Sequence, residues 1–118
     1  SGLTLTDLIS SNVKAKTFEL TQPSSINSTS ITTLDLSTGN VLQVVLTGST
    51  TLAFTNPKIG TYIIKIKQDA TGNCALNFPT IKWSDAAVPT ITTTPNAVDL
   101  ITIIYDGTDY YGSCLQNF

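Results

Sequence analysis

The feature that most constrains this chain is a pair of apolar runs near its C-terminal end, joined by Asp106-Gly107. Asp-Gly between two β-prone runs predicts a hairpin with a two-residue turn, because such turns need positive φ at both central residues. That turn sets a register in which Tyr105 faces Thr108 and Ile103 faces Tyr110. Residues 98–115 therefore predict two antiparallel strands.

Both faces of the predicted hairpin are apolar. Side chains alternate across a sheet, which puts Ile101, Ile103, Tyr105, Tyr110 and Cys114 on one face and Val98, Leu100, Ile104, Tyr111 and Leu115 on the other. A sheet with one solvated face would be polar on that side. We therefore expect both faces to be covered, and in a chain of 118 residues one of the covers can be a second copy.

Short β-like runs separated by Gly, Pro, Asn and Ser turns precede the hairpin. The strands predicted in this part of the chain cover 18–21, 31–37, 41–47, 51–55, 61–69, 74–78 and 90–94. About eight strands at short spacing predict an all-β fold, an antiparallel β-sandwich of the jelly-roll-like type. Residues 1–30 are predicted to be an N-terminal arm or linker with a short strand, and residues 31–118 the β-sandwich domain.

Composition excludes two classes of partner. Only 12% of the residues are charged, there is no Arg, and the net charge is −2, so a surface that neutralises phosphates is not expected and nucleic acid is not a predicted partner. No apolar run approaches the ~20 residues that a membrane span requires. Cys74 and Cys114 are the only cysteines, and we expect free thiols.

The residues contain no recognisable catalytic apparatus. Without His, neither a Ser-His-Asp nor a Cys-His arrangement can form. Most of the carboxylates lie in or beside predicted turns, where Asp commonly bonds the backbone. Asp106 and Asp109 could together hold Ca²⁺, but the turn already explains Asp106. The sequence therefore predicts no enzyme, no metal site and no cofactor.

Three aromatic residues form the candidate ligand site: Trp83, Tyr110 and Tyr111. Aromatic rings next to Asp and Asn suit a carbohydrate, because ring faces stack on sugar C–H groups while polar side chains bond the hydroxyls. The alternative interpretation is structural. In that case Tyr110 and Tyr111 fill the core and an interface, and Trp83 closes one end of the domain.

Five short blocks carry a resemblance to a known family: TLDLSTGNV at 33–41, TGSTTLAF at 47–54, KIKQDATG at 65–72, KW at 82–83 and YDGTDYYGS at 105–113. In this order they resemble a module of tailed-bacteriophage virion proteins, found at the C-terminal ends of tail-fibre-like proteins. The resemblance covers roughly residues 31–118. It implies an all-β domain that assembles as a homotrimer and is exposed on the virion, after folding in the host cytoplasm.

Three functions are consistent with the residues and the resemblance. The first is a non-enzymatic, trimeric tail-fibre or appendage module that attaches to a host-surface glycan or assembles with other virion subunits. The second is a trimeric capsid-decoration protein on the phage head. The third is a carbohydrate-binding module of a bacterial enzyme.

Overall fold

The structure is a computed structural model that describes residues 6–118. Its regular elements are nine strands and one 3₁₀ turn, so the all-β prediction is confirmed. The strands are β1 (Ile26–Asn27), β2 (Ile31–Asp35), β3 (Val41–Leu46), β4 (Thr50–Thr55), β5 (Gly60–Gln68), β6 (Leu76–Asn77), β7 (Lys82–Trp83), β8 (Val98–Tyr105) and β9 (Tyr110–Leu115), with the 3₁₀ turn at Ser84–Ala86.

The strands form a large and a small sheet that share one core. The large sheet has the order β1-β3-β5-β8-β9-β7, and the small sheet has the order β2-β4-β6. From β1 to β6 the chain alternates between the two sheets, and all neighbours among these six strands are parallel. Residues 26–77 therefore wind as a short coil whose successive strands lie alternately in the large and the small sheet. They are named the coil region.

This winding differs from the antiparallel, jelly-roll-like pairing that the sequence predicted. The sheets are mixed, because the antiparallel pairs are β5 with β8 and β8 with β9. Ile26 pairs with Val44 and Val44 with Ile66, so successive turns of the coil take 18 and then 22 residues. Chain segments this far apart can pair in parallel because an entire strand of the other sheet lies between them.

The core lies between the sheets and follows the alternation of the sequence. In β5, Tyr62, Ile64 and Ile66 are buried, as their spacing predicts. In β2, Leu34 is fully buried and belongs to the same cluster, which also contains Ile101 of β8. One continuous core thus joins the coil region to the C-terminal strands.

Buried polar groups fasten the loops to this core, and each has partners. The Gln68 carboxamide donates to the carbonyl oxygens of Cys74 and Thr92, at 2.8 and 2.9 Å. The Asp99 carboxylate accepts the N–H of Thr92 at 2.8 Å and the N–H of Asn117 at 2.9 Å. Among the described residues no buried side-chain N or O atom lacks a hydrogen-bond partner.

The C-terminal hairpin forms, but its register is shifted by two residues from the predicted one. Tyr105 pairs with Tyr110, and Ile103 with Gly112. The loop therefore has four residues. Asp106 Oδ1 stabilises it by accepting the N–H groups of Thr108 and Asp109 at 2.9 and 2.7 Å. A shift of two residues leaves every side chain on its predicted face.

Two predicted strands are wrong. Residues 18–21 and 90–94 have no strand pairing, and the strand at 74–78 is limited to Leu76–Asn77. The division at residue 30 stays a prediction, although β1 already pairs with β3 before that point. Residues 1–5 of the predicted arm lie outside the described residues. Within residues 6–118, no helix has the length and apolarity needed to cross a membrane.

Candidate functional site

A cleft of about 430 Å³ lies on the outer face of the large sheet, at the edge formed by β7. It exists because β7 pairs in parallel with β9, which places Lys82 beside Tyr111 and Trp83 beside Gly112. The residues that line it are Lys82, Trp83, Ser84, Thr102, Ile104, Tyr111, Gly112 and Ser113. Tyr111 and Ile104 are the apolar side chains that it has on the outer face of the sheet, and Ser84, Thr102 and Ser113 also line it.

Gly112 lets the indole of Trp83 lie directly on the backbone of β9. A Cβ atom at this position would come within 2.8 Å of Trp83 Cζ3 and 2.9 Å of Ile81 Cγ2, closer than such contacts occur. On its other side the indole packs edge-on against Phe78, with ring centroids 4.9 Å apart and an interplanar angle of 65°. Trp83 is therefore held in one position, packed against the core, and only a minor part of it is accessible.

Tyr111 lines the cleft on the outer face of the large sheet and is 44% exposed. The ammonium of Lys82 lies 5.7 Å from its ring centroid, a cation–π distance. The same Nζ donates to Asp109 Oδ2 at 3.2 Å, and this hydrogen bond raises the pKa of Lys82. Lys82 therefore stays cationic, and it presents donors at the rim of the cleft.

Tyr110 points to the opposite face and does not line the cleft. Its ring centroid lies 5.2 Å from that of Phe54 and 4.7 Å from that of Tyr105. Burial in this group raises the pKa of Tyr110. Of the three aromatic residues predicted from sequence, the structure places Tyr111 on the outer face, whereas Tyr110 and the indole of Trp83 pack on the core side. Trp83 also lines the cleft at the β7 edge.

The backbone beside the cleft is strained. Asp85 and Ala86, directly after Ser84, have φ values of 56° and 55°. This left-handed conformation costs roughly 1–2 kcal/mol for an ordinary L-residue, and Ala has no side-chain polar group to offset it. Such conformations concentrate at functional sites.

A second cleft of about 220 Å³ adjoins the first. It is lined by Trp83, Ser84, Ala87, Pro89, Gly112, Ser113 and Cys114. Trp83 therefore stands between the two clefts, and together they form a groove along the β7 edge. Burial raises the pKa of the Cys114 thiol in this groove to about 11, so the thiol is protonated at neutral pH.

The acidic residues at the hairpin tip have structural roles. The hydrogen bonds from the N–H groups of Asp109 and Thr108 lower the pKa of Asp106. Asp109 is paired with Lys82. In the part of the chain that the structure describes, no three His, Cys, Asp or Glu residues lie together as metal ligands would. Asp106 and Asp109 therefore shape the loop and the rim of the cleft.

Sequence reasoning missed the residues that complete the cleft: Lys82, Ser84, Thr102, Ile104 and Ser113. The outer-face position of three of them was predictable. Thr102, Ile104 and Ser113 alternate along β8 and β9 with residues that are more buried. Lys82 and Ser84 had no such signal, because the two-residue strand β7 is too short to be detected from periodicity.

A family model described as "Putative phage tail fibre C-terminal domain" matches residues 10–110. The match starts within the N-terminal arm, earlier than the resemblance noted from the sequence blocks. It includes Tyr110 and strand β7, which contains Trp83 and borders both clefts. No curated protein and no solved structure matches the chain significantly.

Proposed function

Because this chain belongs to the family of phage tail fibre C-terminal domains, we propose that it is a non-enzymatic attachment module that binds a host-surface glycan. A domain of this family is a structural part of the tail fibre and hence of the virion. The observation that carries the proposal is the outward cleft of about 430 Å³, which Lys82, Ile104 and Tyr111 line on the outer face of the sheet and Trp83 lines at the β7 edge.

The chemistry of the cleft suits a sugar. Exposed aromatic faces stack on the C–H groups of a pyranose ring, and hydroxyl groups and charged side chains bond its hydroxyls. Ser84, Thr102 and Ser113 supply hydroxyls, and Lys82 and Asp109 supply a donor and an acceptor at the rim. The volume falls within the ~300–1,000 Å³ usual for small-ligand sites.

Hydrolysis of the glycan is not part of the proposal. A glycosidase needs one carboxyl group with a raised pKa as the general acid and a second carboxylate as base or nucleophile. Of the carboxyl groups at the hairpin tip beside the cleft, Asp106 has a lowered pKa and Asp109 is paired with Lys82. The lowered pKa of Asp106 favours its ionised form, which cannot act as the acid.

We further propose that the module works as a homotrimer, folded in the host cytoplasm and exposed on the finished particle. The apolar surface outside the cleft supports self-association. Leu115 is 65% exposed and Ile63 is 39% exposed on the outer face of the large sheet. They lie on strands β9 and β5 with β8 between them, and large exposed apolar surface on a sheet is typical of subunit contacts.

The family match favours a fibre module over a capsid-decoration protein and over a carbohydrate-binding module of a bacterial enzyme. If the protein bound other virion subunits but not host cells, its role would be in assembly of the fibre alone. The test below therefore includes purified fibre proteins beside the glycans.

The test is binding of the protein to an array of bacterial surface polysaccharides. We expect one group of related glycans to bind, and we expect Tyr111→Ala and Trp83→Ala to weaken that binding at least about tenfold, since a stacked ring contributes roughly 1–3 kcal/mol in comparable sites. Tyr110→Phe is the matched control, because its ring lies on the opposite face. Binding to fibre proteins alone, or glycan binding that survives both cleft variants, would overturn the proposal.

A further inference from the structure

The N-terminal arm contains a strand-like segment that pairs with no strand within residues 6–118. Phe18 is 70% exposed and Leu20 is 54% exposed, although the pattern of Phe18 to Thr21 is that of a β-strand. No hydrogen bond joins residues 13–25 to any other described residue; those of the arm lie between Ser10 and Asn12. The segment therefore has the composition of a strand but makes none of a strand's contacts.

The downstream end of this segment is fixed to the body of the domain. A Cβ atom at Gly39 would lie 2.7 Å from the carbonyl oxygen of Thr21 and 3.0 Å from Pro23 Cδ. This close approach holds the chain against the turn between β2 and β3. The arm upstream of Thr21 therefore leaves the domain at a defined point, next to the small sheet.

The small sheet has a free edge at that point. Strand β2 pairs with β4 on one side and, among residues 6–118, has no strand on the other. Two carbonyl groups of this edge have local partners, because Ile31 accepts from Thr29 Oγ1 and Asp35 accepts from Thr38. The backbone of Thr33 between them is the part of the edge that is open to another strand, and the Ile31 side chain is 62% exposed.

The arm segment and the free edge have the same alternation. In β2, Thr32 and Leu34 are buried while Ile31 and Thr33 are exposed. In the arm, the apolar Phe18 and Leu20 alternate with the polar Glu19 and Thr21. A strand added to β2 would thus turn Phe18 and Leu20 towards the core side and Glu19 and Thr21 to solvent.

We propose that residues 18–21 of one copy pair with the free edge of β2 in a second copy of this chain. The inference rests on the self-association proposed above and names the segment that joins the copies. A second copy is the occupant because one chain holds both halves of the pair and, within the described residues, leaves them unpaired. The family match begins at residue 10, so the arm is part of the conserved module and not an unrelated linker.

This contact is compatible with glycan binding. The free edge belongs to the small sheet, whereas the aromatic cleft lies at the β7 edge of the large sheet, the far end from β1. Exchange of arms would leave Trp83 and Tyr111 open to solvent. Loss of one function should therefore not cause loss of the other.

Cysteine cross-linking between differently tagged chains tests the pairing. Directly opposed residues on neighbouring strands lie about 4.5–5.5 Å apart, which a disulfide can span. In a Cys114→Ser background, chains with Glu19→Cys are mixed with chains carrying Ile31→Cys or Thr33→Cys and are oxidised. We expect a disulfide between the two tags, and none with Thr51→Cys, which lies on β4, one strand further from the edge.

Light scattering of arm variants gives a second readout. We expect Phe18→Asp/Leu20→Asp to raise the concentration at which the assembly dissociates at least about tenfold, and Glu19→Gln to leave it unchanged. A cross-link within one chain, no cross-link at all, or an assembly that is insensitive to Phe18→Asp/Leu20→Asp would overturn the pairing. A wild-type protein that is a monomer at micromolar concentration would instead overturn self-association itself, and glycan binding would be unaffected by either result.

Discussion

The coil region comprises residues 26–77, and residues 79–118 are named the hairpin region. The two regions bury the same kind of residue but differ on their outer surfaces. On the small sheet the coil region presents mainly Thr, such as Thr33 and Thr51. The hairpin region presents Ile104 and Tyr111 on its outer face, beside a strained turn and a cleft. Under the proposed function, we expect the coil region to contribute mainly stability and the hairpin region to carry the binding surface.

The largest effect is expected from Leu34→Ala in the coil region. Leu34 is fully buried, and truncation of such a residue costs about 2–5 kcal/mol through lost burial and the remaining cavity. Urea unfolding measures the loss, and Thr33→Ala, on the exposed side of the same strand, should change stability by less than about 0.5 kcal/mol. Equal effects at the two positions would contradict the assignment of the inner face.

Asp99→Asn should have the next largest effect, and it lies in the hairpin region. The carboxylate accepts N–H groups from Thr92 and Asn117 through separate oxygens, and Asn replaces one acceptor by an NH₂ donor. We expect a loss of about 1–3 kcal/mol because one buried N–H loses its acceptor. The measurement is again urea unfolding. The exposed Asp85→Asn is the control, and a similar loss there would argue against the buried clamp.

The adjacent residues Tyr110 and Tyr111 provide the sharpest test of the comparison. Tyr110 packs with Phe54 and Tyr105, so Tyr110→Ala should cost about 1–3 kcal/mol of stability while glycan affinity is kept. Tyr111→Ala should cost under about 1 kcal/mol of stability but lower glycan affinity at least about tenfold. Unfolding curves and glycan-binding curves are measured on both variants. Loss of glycan affinity in Tyr110→Ala together with loss of stability in Tyr111→Ala would contradict the roles assigned to the two residues.

The smallest expected effect is a gain. Ala86 has a φ of 55°, and Gly tolerates this conformation without the Cβ penalty. Ala86→Gly should therefore raise the free energy of unfolding by about 0.5–1 kcal/mol. Ala87→Gly is the matched control, since Ala87 has a φ of −94° and should lose stability instead. A loss at both positions would show that the turn is not strained.

Sequence reasoning identified the faces of the strands but not their partners. The alternation of Tyr62, Ile64 and Ile66 with Lys65 and Lys67 was sufficient, because a half-buried strand has period two. Pairing was not accessible in this way. The parallel partners of the coil region lie 18 to 26 residues apart in unequal steps, such as Ile26 with Val44 and Thr50 with Leu76, so no fixed repeat marks them.

Turn chemistry explains the error in the hairpin register. Asp106-Gly107 is a valid signal for a two-residue turn, but the Asp106 side chain instead bonds two backbone N–H groups of the loop. Likewise, the cleft depends on the pairing of Lys82 with Tyr111 across 29 positions of the chain. The aromatic pair was predictable as residue types, whereas its juxtaposition required the fold.

The most direct test of the central claim uses the fact that Trp83 is the only tryptophan of the chain. Its fluorescence reports on the β7 edge that borders the cleft, and it is measured while oligosaccharides released from the surface of a susceptible host strain are added. The account predicts a saturable change in emission that is lost in Tyr111→Ala and kept in Tyr110→Phe. Emission that stays constant with every host glycan, or changes equally in Tyr111→Ala, would contradict it.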